Sequence, residues 1–222
     1  MSLTRSDLES RRLQQLILQS GHRVNVLSEE QLQESIRETL KQQQPDSDVW
    51  IFAYGSLIWN PIFNFVEQRI GTIHGWHRRF CLWVPQGRGT PDNPGLVLGL
   101  DRGGSCRGIV YRIAAADVPL ELLLLWRREM VVGCYIPYWV RVFDGTQTIE
   151  AIAFVINRRH RAYAGNISLE TTVNSIATAG GQLGSCADYL MQTVNGLMTL
   201  GIKDKQLLRL RQQVVARQEM QD

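Results

Sequence analysis

Val49-Trp50-Ile51-Phe52-Ala53-Tyr54-Gly55-Ser56-Leu57 opens the informative part of the chain. Its apolar and aromatic run is continuous rather than alternating. It is therefore expected to form a strand buried on both faces, and Gly55-Ser56 ends it in a tight turn. Further strands are expected over residues 69–73, 80–84, 96–100, 108–113, 138–143 and 148–156, with Asp144-Gly145 marking a hairpin between the last two. A helix over residues 118–130 interrupts them, and after Ser168 the pattern turns helical, with two or three helices to the end. Strands first and helices last imply an α+β domain around one mixed sheet or small barrel.

Before Val49 the character is different. Residues 1–44 contain no Trp, Tyr or Phe, and two short amphipathic helices are expected there. The second opens on the capping box Ser28-Glu29-Glu30-Gln31 and places Leu32, Ile36 and Leu40 on one face. Gln42 to Asp48 reads as a linker around Pro45. Residues 1–47 are thus a helical extension and linker, and 48–222 the main domain.

Composition removes several function classes. Of 222 residues, 44% are hydrophobic and 20% charged, which is too apolar for disorder. A net charge of +3 gives no electrostatic footprint for nucleic acid. No apolar run is long enough to span a bilayer or serve as a signal-peptide core. Cys81, Cys106, Cys134 and Cys186 are widely spaced and read as free, buried thiols of a cytoplasmic protein. His74 and His77 lack Cys or acidic partners at ligand spacing, so no metal site is expected. Arg158-Arg159-His160-Arg161 reads as a solvated basic loop.

Two features point to chemistry. On the 118–130 helix, Val118, Leu122, Leu125 and Trp126 form an apolar stripe, and Glu129 continues it. Asp117, Glu121 and Arg128 are expected on a solvated side. By pattern alone Glu129 is either an acid whose pKa burial raises, suited to proton transfer near neutrality, or the partner of an arginine at a helix end. Arg127 and Arg128, one and two positions before it, are expected to point away from it. The second feature is the turn Tyr54-Gly55-Ser56-Leu57, whose peptide N–H groups can converge on an anion.

Taken in order, these segments resemble the ChaC family of γ-glutamylcyclotransferases. The residues are Val49 to Pro61, Gly75-Trp76-His77-Arg78-Arg79-Phe80-Cys81, Gly87-Arg88-Gly89-Thr90, Gly108-Ile109-Val110-Tyr111-Arg112, Leu125-Trp126-Arg127-Arg128-Glu129-Met130 and Gly133-Cys134-Tyr135. The resemblance is nearest to the bacterial branch. It implies a γ-glutamylcyclotransferase-like α+β fold over residues 48–222. It also implies cleavage of glutathione into 5-oxoproline and cysteinylglycine, without cofactor, metal, nucleic acid or membrane. Glu129 then corresponds to the catalytic glutamate. Ile51, Phe52, Ala53, Tyr54, Gly55, Ser56 and Leu57 correspond to the substrate-binding segment, with Arg78 and Tyr163 as further contacts. Ala53 stands where many members carry Gly, and Met130 to Tyr135 is longer than in animal members, which bears on the pocket wall. Another γ-glutamyl amine as substrate, or a non-enzymatic role beside a cation transporter, are the alternatives.

Overall fold

In the computed structural model, which describes residues 3–19 and 25–220, the Val49–Ala53 run is strand β1. It lies antiparallel to β3 (Gly95–Ile113), Val49 opposite Ile113 and Ala53 opposite Ile109, and parallel to β5 (Thr148–Ile156) through Ile51 and Ile152. Strand β3 pairs along its length with β2 (Glu67–Val84), and β4 (Tyr135–Phe143) links β2 to β5. The order β1-β3-β2-β4-β5 closes into a small mixed barrel, as the sequence implied. The Asp144-Gly145 hairpin is present: Asp144 Oδ1 accepts from the N–H groups of Thr146 and Gln147, and Gly145 sits at φ +103°.

The expectation of four short strands between residues 69 and 113 is corrected to two long ones. The ladder shifts register between His74 and Trp76, where Gly75 takes φ +82° and Gly103 and Gly104 opposite it take +100° and +69°. These glycines bend the hairpin through a bulge where other residues would break it.

Successive β1 residues serve two cores, as the pleat requires. Val49, Ile51 and Ala53 pack with Leu122, Leu125 and Trp126 of α4 (Val118–Glu129) and with Leu32 of α3 (Glu29–Leu40). Phe52 and Tyr54 join a core shared with α5 (Leu169–Thr178), α6 (Cys186–Thr199) and α7 (Lys205–Glu219). Trp126 meets the Phe154 ring edge-on at 5.0 Å and donates Nε1–H to Ser35 Oγ at 3.0 Å, which docks α3 onto α4.

Among the described residues, the N-terminal segment holds three helices rather than two. A capping box of Thr4 and Asp7 starts α1 (Arg5–Glu9), the chain turns at Arg11 with φ +57°, and α2 (Arg12–Gln19) follows. The expected Ser28 capping box is formed by reciprocal bonds with Gln31. Glu121 overturns its expected place on a solvated face. It is 1% exposed, and its two oxygens accept from Arg5 Nη1 and Nη2 at 2.7 and 2.9 Å, while Asn64 N–H adds a third bond at 3.1 Å. The apolar face of α4 is covered by the barrel, and α1 covers this second face.

Candidate active site

Helix α4 ends at Glu129, and four consecutive side chains there take four directions. Trp126 reaches α3. Arg127 holds both carboxylate oxygens of Glu29 and donates to the Leu8 carbonyl at 3.2 Å, tying two N-terminal helices to the barrel. Arg128 runs toward the turn after β1, donating to Ser56 Oγ at 2.8 Å and to the Asn60 carbonyl at 2.6 Å. Glu129 faces the cavity.

Arg128 also lies against Glu129, with Nε 3.0 Å from Oε1, so the expectation that the two would not pair is wrong. Neighbours within a helix do diverge, but the helix stops here. The long Arg128 side chain bends toward Ser56 with its fork occupied by the turn and its Nε left for the acid. The pair is nearly enclosed, with side-chain exposures of 8% for Arg128 and 13% for Glu129. Burial pushes the Glu129 carboxyl above the usual carboxylate range, and the Arg128 charge pulls it back only in part. Both readings of Glu129 are therefore realised: it is a buried acid with a raised pKa, and it has an arginine beside it.

Three tyrosines lie within electrostatic reach of that carboxylate. Tyr54 donates to the Phe154 carbonyl and Tyr135 to the Leu98 carbonyl, each at 2.7 Å. Burial raises the pKa of both phenols well above 10; the Glu129 charge is the next cause at Tyr54 and a lesser one at Tyr135, behind Tyr54, Cys134 and Tyr189. Tyr189 is pushed up to about 12, again chiefly by burial. All three stay neutral. The Cys134 thiol, on the cavity wall, is likewise pushed up to about 12 and stays protonated, so it offers no thiolate nucleophile.

The cavity has a volume of about 710 Å³. Ser56, Arg128, Glu129, Tyr135 and Tyr189 meet on its wall, and Val131, Val132 and Cys134 of the segment after α4 continue it. Of the predicted substrate-binding residues, Ser56 alone lines it. Ile51, Phe52 and Ala53 are wholly buried strand residues that carry the turn. Gly55 begins a short 3-10 helix over Ser56–Ile58, and a side chain at Gly55 would crowd the Tyr189 hydroxyl at 3.3 Å. Leu57 is buried against α4. Arg78 sits behind the turn: it donates to the Tyr54 carbonyl at 2.8 Å and to the Arg107 carbonyl, and pairs with Asp204 at 3.2 Å. Tyr163 lies outside the cavity wall, bonded to the buried Asp101 at 2.8 Å.

The basic cluster divides. Arg158 pairs with Asp101 at 2.6 Å, whereas His160 and Arg161 line the cavity. Among the described residues, no group of His, Cys, Asp and Glu side chains is arranged to hold a metal ion.

Sequence reading missed three contributors. Tyr189 comes from a helix with no motif of its own. Arg88 was quoted only as part of a glycine-rich segment, yet it lines the cavity, with its guanidinium over the ring of Tyr189 on the same wall. The third is α2, whose Leu13, Leu16 and Ile17 form an apolar side of the same cavity. The amphipathic pattern of residues 12–19 was the available signal for α2, and nothing in the chain's order said what it faced.

Comparison with known proteins identifies the family. Residues 49–217 match the family model described as ChaC-like protein. Over 178 residues the chain is 42% identical to the glutathione-specific gamma-glutamylcyclotransferase of Escherichia coli, covering 80% of this chain and 77% of that one. It is 31% identical over 158 residues to glutathione-specific gamma-glutamylcyclotransferase 1 of mouse, covering 69% and 71%. A crystal structure of the yeast gamma-glutamyl cyclotransferase specific to glutathione shares the fold, with a TM-score of 0.70 at 22% identity over 77% of this chain and 96% of that one.

Proposed function

The chain belongs to the ChaC-like family, and from that premise we propose that it is a glutathione-specific γ-glutamylcyclotransferase with Glu129 as its general base and acid. The observation that carries the assignment of Glu129 is its carboxylate, raised in pKa by burial and, among the described residues, the one acid on the cavity wall, beside the Tyr54–Leu57 turn.

In the proposed reaction the α-amine of the γ-glutamyl group attacks its own γ-carbonyl carbon. A C–N bond forms, closing the five-membered lactam, and the amide bond to the cysteinyl nitrogen breaks. Two protons leave the α-ammonium and two reach the departing amine, so no water is consumed and no redox change occurs. Glu129 is the group placed to take and return them. A carboxylate of ordinary pKa is too weak a base for an ammonium, and burial narrows that gap. Ser56 is fixed by the Arg128 bond, and the N–H groups opening the Ser56–Ile58 helix have no intrahelical partner, which suits them to the substrate carboxylate or the oxyanion. Holding a flexible γ-glutamyl chain folded back on itself supplies much of the remaining rate. Ile51, Phe52, Ala53, Tyr54, Gly55, Leu57 and Arg78 act by holding the turn in place. Tyr163 acts one layer further out.

The test is release of 5-oxoproline from glutathione beside a panel of other γ-glutamyl amines and dipeptides. Turnover confined to glutathione is expected. Equal turnover of γ-glutamyl amines without the Cys-Gly portion contradicts the specificity.

A pH dependence follows. The base form of Glu129 is the deprotonated one, so kcat/KM should rise with pH through a midpoint above the ordinary glutamate value near 4.5. Removing the neighbouring cation in Arg128→Met should raise that pKa further and move the acidic limb to higher pH, beside a drop in kcat from loosening Ser56. Rate profiles of the two proteins check this, and an unmoved limb contradicts it.

Among the described residues, no helix is long and apolar enough to cross a membrane. The four cysteines are free and buried. We place the enzyme in the cytoplasm, where its thiols stay reduced and glutathione is abundant.

A further inference from the structure

The loop between β2 and β3 carries Arg88 into the cavity. Gly87 takes φ +82°, and a side chain at Gly89 would run into the backbone of Gly95, so both flanking positions require glycine and the loop has little freedom. The Arg88 guanidinium lies over the Tyr189 ring at 5.0 Å and near the Trp59 ring at 6.0 Å, and Nη1 donates to the Ser185 carbonyl at 3.0 Å. These contacts fix where the fork points. They do not neutralise it: among the described residues no carboxylate lies within ion-pair distance of Arg88, whereas Arg128 has Glu129. Burial lowers the Arg88 pKa, and the Asp188 charge, beyond ion-pair distance, offsets this only in part. A desolvated guanidinium on a cavity wall, held against aromatic rings and with no carboxylate in direct contact, is a preorganised carboxylate receptor.

We propose that Arg88 binds a carboxylate of the γ-glutamyl substrate and thereby sets its position in the cavity. The inference rests on the function proposed above. Glutathione carries two candidate carboxylates, that of the γ-glutamyl α-carbon and that of the terminal glycine. The chemistry is the same for both.

The experiment measures binding in the Glu129→Gln background, so that turnover does not intervene. Calorimetric titration with glutathione should give a Kd about 10- to 100-fold weaker in Glu129→Gln/Arg88→Met than in Glu129→Gln alone, the loss expected for a charge-assisted pair. Arg88→Lys, which keeps the charge and loses the planar fork, should fall between. An unchanged Kd in a folded Arg88→Met protein overturns the proposal. Should Arg88→Met fail to fold, an Arg88→Lys protein that binds as tightly as its parent overturns it equally.

Repeating the titration with glutathione whose glycine carboxylate is an amide identifies the group. If the Arg88→Met effect disappears with the amide, the glycine carboxylate is bound; if it persists, the α-carboxylate is. Wild-type protein assayed for 5-oxoproline keeps the two ideas separable. Tight, Arg88-dependent binding without turnover contradicts the proposed reaction and leaves the carboxylate site standing.

Discussion

Glu129→Gln is expected to lower 5-oxoproline release from glutathione by about 10²- to 10⁴-fold, the range for loss of a positioned acid–base group. The same variant should be at least as stable as wild type at neutral pH. Glu129 binds its proton more tightly in the folded protein than in the unfolded chain, because burial raises its pKa. A group of that kind contributes its full stability below the unfolded carboxylate pKa and loses it as pH rises through the folded value. At neutrality the ionised side chain is therefore a cost that a neutral amide of the same shape avoids. Calorimetric melting near pH 7 and near pH 4 checks this, with the difference between the two proteins expected to shrink at the acid end. An inactive variant that is also clearly less stable at neutral pH would indicate that Glu129 holds the structure together through Arg128 and is not an acid kept for chemistry.

Arg5→Ala should have the largest effect on stability. It strips the bidentate partner from Glu121, which is 1% exposed and keeps only the Asn64 N–H bond. An uncompensated buried charge costs about 3–5 kcal/mol, and the lower end applies here because the Arg5 side chain is 30% exposed. For a chain of this size about 3 kcal/mol corresponds to roughly 6–12 °C in Tm. Replacing both partners, Arg5→Leu with Glu121→Leu, should recover most of the loss. The effect should reach catalysis as well. Helix α1 leads directly into α2, whose Leu13 and Leu16 line the cavity, so KM for glutathione should rise in Arg5→Ala while the double variant stays near wild type. A Tm change of no more than a degree or two would show that Glu121 finds water or another donor.

The residues that defined the architecture were local ones. The β1 run, the α4 stripe, the Ser28 capping box and the Asp144-Gly145 turn each state their structure within a few positions, and each is found where expected. The two long bent strands were hidden because Gly75, Gly103 and Gly104 resemble strand ends until their cross-strand partners are known. Glu121 was hidden for the same reason: its burial depends on Arg5, well over a hundred positions away.

The site shows the same division. Glu129 stood out because an acid on an apolar stripe is anomalous by itself. Its environment did not, since Tyr54, Tyr135 and Tyr189 come from three separate elements and converge only when the barrel closes. The Arg128 contact was misjudged from helical geometry that ceases to apply at the last turn. Arg88 packs against rings from two distant segments, so its want of a contacting carboxylate becomes visible only in three dimensions.

The central claim is that the γ-glutamyl group closes on itself, and isotope labelling tests it most directly. Wild-type protein supplied with glutathione in H₂¹⁸O should give 5-oxoproline and cysteinylglycine in equal amounts, with no ¹⁸O in the 5-oxoproline, because the only bond formed is from the substrate's own amine. Glutamate carrying ¹⁸O in its γ-carboxyl, or no release of cysteinylglycine at all, would contradict the account.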